Sequence, residues 1–297
     1  DLRNLMRVWL AGSWVLAILT IANYASAYPG SVDQVRFAAI GQDPNDVARY
    51  LDLGFPIAAL LLDGKERWFG KWMARGYLPL GFACVLLTAS RGGFLAAVVA
   101  LAGSTVLLFR RYPKGIIGGA LVLPAVAGAI WLALPRGTLE RIASITDQLQ
   151  NGDLNQRVNI WSAGWQAFVR APFCGHGAGS FVTASGLAPI DTAHNTILST
   201  VVEGGIPALV IATGIVALSV RSILALRGTL RIALITLMAT WLMSSLVGTV
   251  GESRTTWLLL AVISLSHRLS EDQRDGLQQG FPSPSQASGF QMADQLR

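Results

Sequence analysis

Apolar residues in this chain fall in long unbroken runs separated by short charged connections. The runs 8–28, 92–109, 115–134, 196–220 and 232–250 each approach the roughly 20 residues that carry a helix across a bilayer. Three shorter runs, 50–62, 76–90 and 255–265, have lengths that also suit buried or re-entrant helices. The connections decide between these options. Lys65, Arg67, Lys71 and Arg75 crowd one of them, Arg110, Arg111 and Lys114 a second, and Arg221, Arg227 and Arg231 a third. Positive charge collects on the cytoplasmic side of membrane proteins, and eight spans place all three clusters there. The pattern therefore predicts an all-α, polytopic transmembrane bundle of about eight spans, with residues 29–49, Arg91, 135–193 and 251–256 on the opposite face.

The expected organisation is five spans with short loops over 1–134, a loop domain over 135–193, three further spans over 194–267, and a disordered cytoplasmic tail over 268–297. The loop 135–193 is too long for a simple connection, and its pattern argues for order. "TLERIASITDQLQ" repeats apolar residues at helical spacing. "NQRVNIWSAGWQAFVR" sets Trp161, Trp165 and Phe168 on one face, shared by Arg157, and Pro172 and Gly175 end the helix. The tail is rich in Ser, Gln, Gly and Asp and has no periodicity.

Composition agrees with a membrane location: 52% of the 297 residues are hydrophobic and 13% charged, with a mean hydropathy of +0.49. A net charge of +6 raises nucleic acid as a partner. The basic residues sit between apolar runs, however, so they mark topology and the expected partners are membrane lipids. Cys84 and Cys174 lie far apart in dissimilar settings, so neither a disulfide framework nor a CxxC metal site is suggested. No His/Cys/Asp cluster has metal-ligand spacing, and no metal or cofactor is expected. The chain opens on Asp1 without a signal-like segment and reads as a fragment with upstream helices missing.

Three residues on the outward face invite chemistry. His194 stands in "DTAHNTILSTVVEGG", where Asp191 is expected to cap a helix that carries His194 in its first turn and runs into the membrane. The positive end of a helix disfavours imidazolium, and a neutral ring can accept a hydroxyl proton. The alternative is an interfacial histidine bonded to Asn195 or loop backbone. Arg91, in "LTASRGGFLAAVV", is costly in that setting unless it is paired or wet, the alternative being an arginine that snorkels to the headgroups. Arg157 shares a face with Trp161, either as a cation-π pair or as a free-standing anion ligand. Arginine's fixed charge and forked donors suit phosphate. Two arginines and a neutral histidine would form an anion site beside a base. The glycine-rich "CGHGAGS" matches no phosphate-binding pattern and reads as a tight turn, with His176 inside it. Asp52 and Glu203 lie within apolar runs and are expected to pair with arginine or polar backbone, Glu203 just before a helix bend at Gly204, Gly205 and Pro207.

Taken together, "GQDPNDVARYLDLGFPIAALLL", "LTASRGGFLA", "LNQRVNIWSAGWQAFVRAPFCGHGAGSF" and "AHNTILSTVVEGGIPAL" resemble the bacterial O-antigen ligase and polymerase family of membrane glycosyltransferases. The resemblance implies an inner-membrane enzyme whose active site faces the periplasm. It would move a glycan from an undecaprenyl diphosphate carrier to an acceptor hydroxyl, on lipid A-core or a growing glycan, without metal or nucleotide. The family's arginines match Arg91 and Arg157, which would hold the diphosphate, and its histidine matches His194, which would activate the acceptor. Asp191, Asn195, Trp161 and Glu203 would support them. Cys174 and His176 depart from the small or apolar residues usual in that turn. The ligase, polymerase and protein O-oligosaccharyltransferase branches share these motifs, and a ligase is the favoured expectation. A lipid-linked sugar transporter is the alternative of another class; its polar sites would lie near the midplane, in repeated halves that this chain does not show.

Overall fold

The computed structural model describes residues 2–27, 36–63, 66, 68–113, 128, 134–150, 152, 156–189 and 191–279. The described elements are helices in chain order: α1 Leu2–Ala27, α2 Pro44–Asp63, α3 Trp68–Leu87, α4 Arg91–Arg111, α5 Arg136–Ala143, α6 Ile145–Gln150, α7 Arg157–Arg170, α8 Phe181–Ser185, α9 Thr196–Ala225, α10 Gly228–Val247 and α11 Arg254–Gln279. Helices α1, α4, α9 and α10 are long and apolar enough to cross a membrane. They correspond to four of the five long runs; the fifth, 115–134, lies almost wholly outside the described residues.

The three short runs are the apolar halves of longer helices. In α2 the helix begins six residues before the apolar run, because Asp43 Oδ1 accepts the Asn45 backbone N–H at 2.7 Å and Pro44 fills the first helical position, where no N–H is needed. In α3 the first two turns carry Lys71 and Arg75. Helix α11 continues to Gln279, past the tail boundary expected at 268, through Glu, Gln, Arg and Leu, which are good helix formers. Residues 280–297 of that tail lie outside the described residues.

Helix α2 is the axis of the bundle. From Leu51 to Ala59 every residue is buried, and α1, α3, α4 and α10 surround it. Association of helices in lipid relies on close approach of small residues rather than on water exclusion. Here Gly54 meets the Tyr77 ring, and Gly103 meets Thr236, so tightly that a Cβ at either glycine would overlap its neighbour. Tyr77 then donates its hydroxyl to the Leu51 carbonyl at 2.7 Å. The packing fixes α2, α3 and α4, and hence the loops at their ends.

Helix α9 is interrupted. Gly205 has φ +65°, and Pro207 follows. Pro207 has no N–H for the Glu203 carbonyl, and Ile206 turns its own N–H to the Pro172 carbonyl at 2.8 Å. The carbonyls thus released are taken up by the turn at 175–177: His176 N–H donates to Val202 O and Gly177 N–H to Glu203 O, both at 2.9 Å. Gly175 lies flat on the Glu203 backbone with φ +63°, where any side chain would strike it. The "CGHGAGS" turn is therefore the plug of a broken helix, and its glycines serve that contact.

Candidate active site

Helices α2, α4, α7 and α9 begin at one cavity of about 460 Å³. Asp43 and Asn45 come from the start of α2, Arg91 is the first residue of α4, Arg157 is the first residue of α7, and His194 lies just ahead of α9. Arg36 and Arg141 complete a ring of four guanidinium groups, and Met243 and Val247 of α10 form an apolar side. Helix N-termini present unpaired N–H groups and a partial positive charge, so this convergence favours negative charge in the cavity before any side chain is counted.

Each arginine is set by its local backbone. Ser90 caps α4, its Oγ accepting from Gly93 N–H at 3.1 Å and donating to Asn45 Oδ1 at 2.8 Å. Arg91 then reaches across to the loop helices, donating to the Arg141 carbonyl at 3.1 Å and Ser144 Oγ at 2.8 Å. Arg141 answers by donating to the Ala89 carbonyl at 3.2 Å. Arg36 donates to Asn45 Oδ1 at 2.9 Å and to the Thr88 carbonyl at 3.3 Å. Arg91 is thus a strut between α4 and the α5–α6 segment, which a snorkelling side chain would not be.

Helix α7 ties Arg157 to the histidine segment. Ile160 and Ala167 pack with Phe181, Ala193 and Val202 in a small core of their own, and Trp161 Nε1–H donates to the Ala193 carbonyl at 3.0 Å. That bond places the residue next to His194. Trp161 and Arg157 share the cavity wall as expected, whereas Trp165 is 58% exposed, its ring 5.2 Å from that of Phe168 between centroids. His176 Nε2 stands 2.8 Å from the Ala167 carbonyl, a link between α7 and the plug.

The helix start at His194 corrects the expected one. Asn195, not Asp191, caps α9: its Oδ1 accepts from Leu198 N–H at 2.9 Å, and its Nδ2 donates to the Leu246 carbonyl at 3.3 Å. Asp191 instead closes its own turn by accepting from Ala188 N–H at 3.2 Å. His194 therefore precedes the helix and adopts φ +46°. Non-glycine residues rarely hold such angles, at a cost of about 1–3 kcal/mol each. Among the described residues the other two are Ala89 and Gln156, at φ +47° and +64°. Each is within two residues of a cavity arginine, so the strained backbone concentrates at this site.

Charge follows the geometry. Burial lowers the pKa of His194 first, Arg157 and Arg49 lower it further, and Asp43 and Asp191 act weakly in the other direction. Burial and like charge therefore both favour the neutral ring. Its Nδ1 lies 3.2 Å from Thr192 Oγ1. Burial also lowers the pKa of Arg157, and Arg49 and Arg91 add to the effect. For Arg141, burial acts first and then Arg36 and Arg91. These cations repel one another, and a bound anion relieves that repulsion.

Glu203 and Asp52 lie apart from the cavity. Glu203 accepts from Ser199 Oγ and Gly179 N–H, both at 3.0 Å, so polar backbone is among its partners as expected. Asp52 is fully buried in α2 and its carboxylate makes no hydrogen bond, contrary to the expected pairing; Arg49, one turn earlier, is held by Asp46. Arg36, Arg141 and Asp43 were not singled out in the sequence. All three lie in segments 29–49 and 135–193, where short polar stretches carry no periodic signal.

Four of the described helices are long and apolar enough to cross a membrane, as in a membrane protein, and four arginines and a histidine line one cavity among them. Residues 77–213 match the family model described as O-Antigen ligase, and this stretch, which contains Arg91, Arg141, Arg157 and His194, belongs to that family. No curated protein matches the chain.

Proposed function

We propose that this protein is an O-antigen ligase-type glycosyltransferase that moves a glycan from undecaprenyl diphosphate to an acceptor hydroxyl, on lipid A-core, at the periplasmic face of the inner membrane. The carrying observation is that Arg91, Arg157 and His194, from three distant stretches, line one cavity together with Arg36 and Arg141. In this reading the arginines hold the diphosphate, whose charge grows as the glycosidic bond breaks. His194, with Nδ1–H turned to Thr192, takes the acceptor proton on Nε2. The acceptor oxygen attacks the anomeric carbon opposite the departing diphosphate, so the configuration inverts. Preorganised cations around a leaving group are worth several kcal/mol in the transition state, and a positioned base about 10²- to 10⁴-fold in rate.

The eight-span topology belongs to the same proposal. Helices α2, α4 and α9 all begin at the cavity, and α4 ends on Arg110 and Arg111, which supports an outward cavity and inward basic ends. The segment 135–193 is then the periplasmic loop domain that contributes Arg141 and Arg157.

The test follows lipid-linked glycan and surface polysaccharide in a deletion strain complemented with wild type, His194→Ala or Arg157→Ala. Full-length glycan retained on its carrier in both variants is the ligase result. Accumulated single repeat units would make the protein a polymerase. Wild-type behaviour of both variants, made and inserted normally, would remove the reading.

A further inference from the structure

A second cavity, of about 300 Å³, opens on the other side of the segment that carries His194. It is lined by Thr196, Ser199, Thr200 and Glu203 of α9, by Ala178 of the glycine turn, and by Thr249 and Glu252 beyond α10. The two cavities share no lining residue, yet both border the same two pieces of chain: His194 and Val247 face the first, Thr196 and Thr249 the second. Hydrogen bonds join those pieces into a wall. Thr196 Oγ1 donates to the Gly248 carbonyl at 2.8 Å and accepts from Val250 N–H at 2.9 Å, while Asn195 reaches Leu246.

The chemistries of the two sides are opposite. The first cavity has four arginines, whereas the lining of the second holds hydroxyls and two carboxylates and no basic residue. An anion is repelled there, and an acyl chain would strip water from the two carboxylates with nothing polar in return. A neutral sugar satisfies both demands. Its hydroxyls donate to carboxylate oxygens, and its C–H face lies on Ala178, Ala208 and the threonine methyls. The volume falls at the lower end of the range of small-molecule sites.

We propose that this cavity is a subsite for the uncharged sugar end of the acceptor. The inference rests on the transferase reading above. The diphosphate would occupy the arginine side, the acceptor sugar the Glu203 side, and His194 the wall between them. From Thr196 to His194 is two residues, at most about 7 Å of chain, so a hydroxyl at the edge of the seated sugar has a short way to the base.

The test uses the full-length protein in nanodiscs and saturation-transfer NMR with methyl α-glucopyranoside and, separately, its 6-phosphate. Ala178 is exposed on the turn, so Ala178→Trp fills the cavity mouth without burdening the core, and Glu252→Gln removes the charge of an exposed lining carboxylate at nearly constant shape. The expected result is saturation of the neutral glycoside, weakened about tenfold by Ala178→Trp and about fivefold by Glu252→Gln, with none for the 6-phosphate. The signal should persist in Arg157→Ala and His194→Ala. Absence of glycoside binding, equal binding in Ala178→Trp, or stronger binding of the 6-phosphate would overturn the subsite. The readout requires no turnover. If His194→Ala transferred glycan normally while the glycoside still bound in this cavity, the transferase reading would fall and the sugar site would stand.

Discussion

The backbone takes an unusual angle once inside helix α9 and once just ahead of it, and the two departures differ in kind. At Gly205 the chain breaks inside an apolar run, and the groups it releases are recaptured: Val202 and Glu203 carbonyls by the 176–177 turn, and the Ile206 N–H by Pro172. At His194 the strained residue is not a glycine, and its ring faces a cavity of charged groups. The first break is closed by protein and serves architecture. The second is held open by its surroundings, by Trp161 on Ala193 and Asn195 on Leu246, and presents a side chain. An unusual backbone angle alone does not mark function; what matters is whether the chain uses the freed geometry internally or points it at a ligand.

Substitutions at the two sites should separate these roles. The largest effect is expected for His194→Ala, a loss of about 10²- to 10⁴-fold in transfer with insertion and stability unchanged, measured as transfer rate on protein matched for abundance. Next is Gly175→Val, which drives a side chain into the Glu203 backbone at positive φ and should cost about 3 kcal/mol or more, read as loss of folded protein in a detergent thermal scan rather than as a lower turnover number. A stable Gly175→Val protein would break the distinction. Ser90→Ala removes the α4 cap and one bond to Asn45, for about 1 kcal/mol of stability. It should also loosen Arg91, raising the apparent donor KM more than it lowers kcat.

The smallest predicted effect concerns pH. The base must be unprotonated, so activity falls on the acid side as pH drops through the His194 pKa, which lies below its ordinary value. Asp43 is one of the groups that oppose this lowering. Asp43→Asn should therefore lower the pKa further and move the acid limb of the rate profile to lower pH, and a shift to higher pH would contradict the electrostatic account.

Much of this was legible in the residues. Arg91, Arg157 and His194 stood out because each is polar at the edge of an apolar or aromatic stretch, and one cavity contains all three. The buried length of α2 was half legible: its apolar half was evident, while Asn45, Asp46 and Arg49 disguised the first turns as loop. The cap of α9 was misread because Asp191 and Asn195 are both good caps, and the choice depends on Leu246, which lies 51 residues away. Arg36 and Arg141 were illegible for a related reason. Their partners, Asn45 and the Ala89 carbonyl, come from other helices, so no local spacing announces them.

The central claim divides the labour between arginines that bind and a histidine that reacts. Its most direct test is a titration of full-length protein in nanodiscs with the undecaprenyl diphosphate-linked glycan, followed by single-turnover transfer to an acceptor, for wild type, Arg157→Ala and His194→Ala. The account predicts that Arg157→Ala weakens donor binding about tenfold or more, and that His194→Ala binds donor like wild type yet fails to transfer it. Normal transfer by His194→Ala would contradict it.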